Sequence, residues 1–151
     1  MKTILSIMIL VLMTLTFKSN AQCINGKLSY PLYKVGATLV NNFDNDSLEI
    51  VRIEYDLVFD SKESFRNLST DWEYTIFAFA DDGVKDLNIR LYEYDDLLES
   101  WTMVSEDTKS ESYAMVSVKP GVDALYKVEV IVNEYNEGYN VARYGLMYLH
   151  E

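Results

Sequence analysis

Two groups of side chains in this chain have the chemistry to hold a ligand. Asp81, Asp82 and Asp86 crowd one short turn, Asp81-Asp82-Gly83-Val84-Lys85-Asp86, and Asp95 and Asp96 follow at the far end of the next hydrophobic run. Several carboxylates and backbone carbonyls on one turn suit Ca2+, a hard cation that takes about six to eight oxygen ligands. The spacing is not that of an EF-hand loop. Asp and Gly are also favoured in tight turns for backbone reasons alone, so the same residues read equally as a hydrophilic turn. The second group is aromatic: Tyr92, Tyr94 and Trp101, with Tyr135 and Tyr139, stand out of phase with the apolar positions of their segments or fall in loops. Flat rings placed this way can stack on pyranose rings and line a ligand-binding face; the competing reading is that they cover a second layer or fill loop corners.

Catalytic groups are scarce. His150 is the one histidine and Cys23 the one cysteine, and they lie near opposite ends of the chain. A Ser-His-Asp or Cys-His site would have to use His150, the penultimate residue, where fraying is expected. Zinc sites draw on several His and Cys ligands. Glycosidases need one positioned pair of carboxylates, and nothing singles out a pair among 24 acidic residues. No catalytic residue is assigned, and the chain reads as not an enzyme.

The elements that must position these groups begin after an export signal. Met1-Lys2 is basic, residues 3–17 are uncharged and rich in Ile, Leu, Met and Val, and Ser19-Asn20-Ala21 supplies a small-x-small exit. That is the pattern of a secretory signal peptide over residues 1–21, and its apolar run is shorter than the roughly 20 residues a spanning helix needs. No transmembrane segment is expected after cleavage. Cys23 follows the exit, but Asn20 and Gln22 depart from the aliphatic and small residues of a lipobox, so lipid anchoring is not expected. A lone cysteine leaves no intramolecular disulfide, so a core must hold the fold.

The formal charge is −11, and it grows more acidic once Lys2 and Lys18 are set aside. Such a surface disfavours nucleic acid, whose phosphates call for a basic footprint, and disfavours anionic lipid. Twelve Tyr, six Phe and two Trp favour strands over helices. Within residues 22–47, positions 30–35 and 37–40 read as short extra strands split at Gly36, or as an extended N-terminal arm. Residues 48–59 alternate as a strand, and Asp60-Ser61-Lys62-Glu63 resembles a capping box that opens a short helix over 61–68. Residues 72–80 and 87–94 read as two strands of a hairpin, the first apolar on both sides in its second half. Residues 101–105, 113–118, 125–133 and 143–149 complete the set, the first as a short edge strand. No helix of ordinary length is expected in residues 22–151. Short strands separated by turn signals predict an all-β single domain over residues 48–151, an antiparallel β-sandwich of jelly-roll type.

From about Asp56 to Leu149 the order of features resembles the bacterial pre-peptidase C-terminal domain. The matching pieces are Tyr74-Thr75-Ile76-Phe77-Ala78-Phe79-Ala80-Asp81, Val84-Lys85-Asp86-Leu87-Asn88-Ile89-Arg90-Leu91-Tyr92 and Val116-Ser117-Val118-Lys119-Pro120. Ala124-Leu125-Tyr126-Lys127-Val128-Glu129-Val130 and Tyr144-Gly145-Leu146-Met147 close the series. The resemblance implies a small secreted β-sandwich, standing alone here, with calcium held near the acidic turn in related domains. A role in peptidase processing does not follow, because no peptidase domain precedes it. The function expected is a secreted or periplasmic bacterial binding module that recognises a protein or glycan at the cell envelope. The alternative is an envelope assembly protein that pairs through its N-terminal arm or a strand edge.

Overall fold

The computed structural model describes residues 26–151, with side chains from residue 29. The expected signal peptide and Cys23 lie outside the described residues. One helix, α1 (Gly26–Asn45), precedes eight strands: β1 (Glu49–Val58), β2 (Ser61–Leu68), β3 (Tyr74–Ala80), β4 (Val84–Asp95), β5 (Ser100–Asp107), β6 (Tyr113–Val118), β7 (Ala124–Tyr135) and β8 (Ala142–His150). They form two four-stranded sheets, β1-β8-β3-β6 and β2-β7-β4-β5. Each pairing is antiparallel. With that strand order the chain changes sheet at nearly every connection, the eight-stranded jelly roll. Only β4 and β5 are consecutive partners within one sheet.

The core lies between the sheets, and period-2 alternation explains it. Tyr74, Ile76 and Ala78 of β3 and Tyr144, Leu146 and Tyr148 of β8 face Leu87, Ile89 and Leu91 of β4 and Tyr126, Val128 and Val130 of β7. Two of the buried phenols in this layer, and Ser64 beside them, donate to named partners. Tyr148 donates to Ser64 Oγ at 3.1 Å, Ser64 donates to Glu54 Oε2 at 3.0 Å, and Tyr126 donates to Glu93 Oε2 at 2.5 Å. Burial pushes the Tyr148 phenol up to about 12, against the smaller lowering effect of Ser64. It also raises Tyr126 and Tyr144, each further disfavoured as an anion by nearby carboxylates. Unfolded phenols ionise near 10, so above that pH the unfolded chain releases protons that the fold retains, and stability falls as pH rises toward 12. Cooperative unfolding in this range should release the buried phenols together, seen as a step in absorbance at 295 nm that coincides with loss of far-UV dichroism. A smooth titration near pH 10 without unfolding would contradict it.

Residues 26–45 form a helix, not short strands or an extended arm, and this also corrects the expectation that residues 22–151 lack one. Leu32, Leu39, Val40 and Phe43 recur at helical spacing and pack on Ile50, Ile53, Tyr55, Phe77, Phe79, Met147 and Leu149, the outer face of the first sheet. Gly36 comes so close to Tyr55 that a β-carbon there would meet its hydroxyl. The C-terminus closes in a Schellman motif. Ser47 takes φ +64° and donates to Asp44 O at 3.1 Å, while Leu48 donates to Phe43 O at 2.9 Å and packs on the same cluster.

Residues 61–68 are a strand, not a helix. The Asp60 carbonyl accepts from Val132 N at 2.9 Å and starts a ladder with β7 that runs from Ser61↔Ile131 to Leu68↔Ala124. Pairing along a whole strand outweighs a local cap. The expected 72–80/87–94 hairpin is also corrected. β3 and β4 belong to different sheets, so the acidic turn is an arch between layers, and the real hairpin is β4–β5. His150 does not fray: it is buried at the end of β8, stacked on Trp72 with centroids 4.2 Å apart.

Candidate functional site

The acidic arch is held by partners from distant parts of the chain. Asp81 Oδ2 accepts from Arg143 Nη1 at 3.2 Å and from Arg143 N at 3.1 Å, and its Oδ1 accepts from Gly83 N at 3.1 Å. The Asp82 carbonyl accepts from Asn136 Nδ2 at 2.7 Å. Asp86 is buried and accepts from Asn133 Nδ2 at 3.0 Å. Asn88, with its amide nitrogen turned toward the carboxylate, lies 3.1 Å from Asp86 Oδ1. Asp81 thus has a guanidinium as counter-ion and Asp86 two amides, and the three aspartates do not converge on one point. Among the described residues no three His, Cys, Asp or Glu side chains gather as a metal site. In this geometry Asp81, the Asp82 carbonyl and Asp86 staple the β3–β4 arch to β8 and to β7 and the loop that follows it. At the tip of the β4–β5 hairpin, Asp95 Oδ1 accepts from Leu97 N at 2.8 Å and Leu98 N at 3.0 Å, a turn-forming role.

The aromatic residues fare differently. On β4, Leu91 points into the core, so Tyr92 and Tyr94 point out of the second sheet, with Glu93 turned inward to Tyr126. The hairpin register sets Tyr92 opposite Met103 and Tyr94 opposite Trp101. Tyr94 and Trp101 meet at 5.0 Å, with ring planes tilted by 52°. From the other edge of the sheet Phe65 reaches Trp101 at 5.8 Å. Lys127, on the central strand β7, lays its ammonium 4.5 Å from the Tyr92 ring centre and 5.4 Å from that of Trp101. The same ammonium donates to Glu63 Oε1 at 3.0 Å, and Tyr92 donates to Glu129 Oε2 at 3.2 Å.

The sequence-selected trio Tyr92, Tyr94 and Trp101 is therefore one cluster on one face, contributed by two adjacent strands and completed by two more. Phe65 is half exposed and Tyr92, Tyr94 and Trp101 are partly so. Ring packing and the hydrogen bond to Glu129 fix their orientation, so a flat ligand would meet a preformed surface. Tyr135 and Tyr139 lie elsewhere. Tyr135 donates to the carbonyls of Val58 and Phe59, and Tyr139 is exposed beside Gly83. Phe65 and Lys127 escaped sequence reasoning. Alternation in 61–68 would have signalled Phe65 had that segment been read as a strand, because Ser64, Arg66 and Leu68 occupy the inward positions. Lys127 carries the signal of an outward position between buried Tyr126 and Val128.

No family model matches the chain, and no curated protein matches it. Among solved structures, the Yersinia pseudotuberculosis-derived mitogen (YPM) is similar over 66% of this chain and 84% of its own, with 8% identity and a TM-score of 0.45. A carbohydrate-binding module, CBM4, is similar over 70% of this chain and 79% of its own, with 12% identity and a TM-score of 0.41. Likenesses this distant say nothing of ligand or partner.

Proposed function

We propose that this chain is a non-catalytic β-sandwich module, secreted or periplasmic, that binds glycan through the outer face of its second sheet. One observation carries the reading: Phe65, Tyr92, Tyr94 and Trp101, from three strands, converge on a partly exposed surface instead of being covered by another layer. An apolar patch left open on a sheet face whose other outward side chains include charged ones marks a contact surface more than a packing remnant. Rigid rings offer a pyranose contact area at little cost in side-chain entropy. The resemblance to a stand-alone pre-peptidase C-terminal domain supports an accessory role outside the cytoplasm.

The alternative, an assembly protein that pairs through an N-terminal arm or strand edge, has less support. Residues 26–45 are folded onto the first sheet and are no free arm. Of the four edge strands, β1 and β5 sit in ladders with register shifts, and such bulges twist an edge away from an added strand, while β2 and β6 keep regular ladders.

Affinity gel electrophoresis through uncharged polysaccharides (β-glucan, xylan, galactomannan), followed by titration calorimetry on the one that retards the protein, tests the proposal. Retardation is expected on at least one gel, and Trp101→Ala should weaken binding by about 1–2 kcal/mol, roughly tenfold or more in Kd. Retardation unchanged by Trp101→Ala would remove the platform from the mechanism, and none on any glycan would overturn the proposal.

A further inference from the structure

The aromatic platform does not end at Trp101. Tyr94 also forms one wall of a cleft of 440 Å3, bounded by Asn67, Asp96, Asp123, Ala124 and Leu125. That volume lies within the range of about 300–1,000 Å3 common to small-molecule sites. The cleft walls differ in kind from the platform. Asn67 and Asp96 are exposed at the end of β2 and in the β4–β5 turn, with an amide and a carboxylate free to meet solvent. Asp123 is fixed from behind, since its Oδ1 accepts from Thr70 N at 2.7 Å. An amide donates and accepts at once and a carboxylate accepts twice, the complement of vicinal hydroxyls. The ring cluster therefore continues into a cleft with polar groups on its walls, and Tyr94 belongs to both.

The cations around this surface are already paired, Arg90 of β4 with Glu106 at 3.7 Å. Lys127 is the cation on the platform, and Glu63 neutralises it at 3.0 Å. Glu129 stands at Tyr92, and Asp96 and Asp123 line the cleft. A carboxylated or sulfated chain would bring its charge against carboxylates with no spare cation to offset it. An uncharged one would not.

Resting on the glycan-binding reading, we infer that the ligand is an uncharged oligosaccharide of at least two pyranose units, one stacked at Trp101 and the next hydrogen-bonded in the cleft of Asn67, Asp96 and Asp123. Affinity then depends on chain length, and the cleft residues matter only to ligands long enough to reach them.

The test uses the mono-, tri- and hexasaccharide of whichever uncharged polysaccharide retards the protein, titrated calorimetrically into wild type, Asn67→Ala and Asp96→Ala, with polygalacturonate and chitosan gels run in parallel. The trisaccharide should bind at least about tenfold more tightly than the monosaccharide, and each cleft variant should lose about tenfold for the trisaccharide with little change for the monosaccharide. Unchanged dichroism and melting would show that the variants fold. Equal affinity for mono- and trisaccharide, or cleft variants without effect, would overturn the inference while leaving glycan binding standing. Retention on polygalacturonate or chitosan alone would do the same, by assigning a charged ligand. Retention on no gel would overturn the glycan-binding reading itself.

Discussion

Ile89→Ala should destabilise the protein by about 2–5 kcal/mol, the range for truncating a fully buried aliphatic side chain. Ile89 has no solvent exposure and sits mid-way along β4, paired with Val130 on one side and Asp107 on the other. Its side chain lies in the layer between the sheets, where neighbours from both would surround the cavity it leaves. Against a typical domain stability of about 5–15 kcal/mol, this one change would remove a large share. Urea unfolding should show a lower midpoint with an unchanged slope. Ile131→Ala, outward on β7 and half-buried, should cost about 1 kcal/mol or less. Equal losses at the two positions would show that the layer between the sheets is not the main core.

Gly145→Ala is the second large effect, and it acts by crowding. Gly145 lies on β8 opposite Phe79 of β3, on the face covered by α1. A β-carbon at this position would overlap the Phe79 ring, which is itself buried and packed edge-on against Tyr55. The ring has little room to retreat, so a loss of about 1–3 kcal/mol is expected. Phe79→Leu clears the overlap, so the double variant should be more stable than the sum of the single changes predicts. Strict additivity in urea titrations would mean that the ring and the glycine do not share a constraint.

The parts of the fold legible in sequence were those whose pattern is local. β6, β7 and β8 announce themselves through alternation, whereas the β4–β5 hairpin that sets Tyr94 opposite Trp101 was read instead as a hairpin of 72–80 with 87–94. The helix was hidden by composition. Gly36 reads as a breaker, yet it is where the helix meets Tyr55, and the stripe of Leu32, Leu39, Val40 and Phe43 matters only once a sheet exists to receive it. β2 was obscured because two of its inward positions, Ser64 and Arg66, are polar and are satisfied by Tyr148 of the other sheet. Sheet membership of β3 and β4 is not a local property at all. The same non-locality hides the partner of the acidic turn: Asp81 and Arg143 are 62 residues apart, so only the folded chain shows that the carboxylate has a counter-ion.

The seating of α1 makes the molecule two-sided. The helix covers the outer face of the first sheet, and the ring cluster occupies the outer face of the second, with the full thickness of the sandwich between them. A partner that docks on the helix side would therefore stand behind the module, leaving Trp101 and its neighbours facing outward.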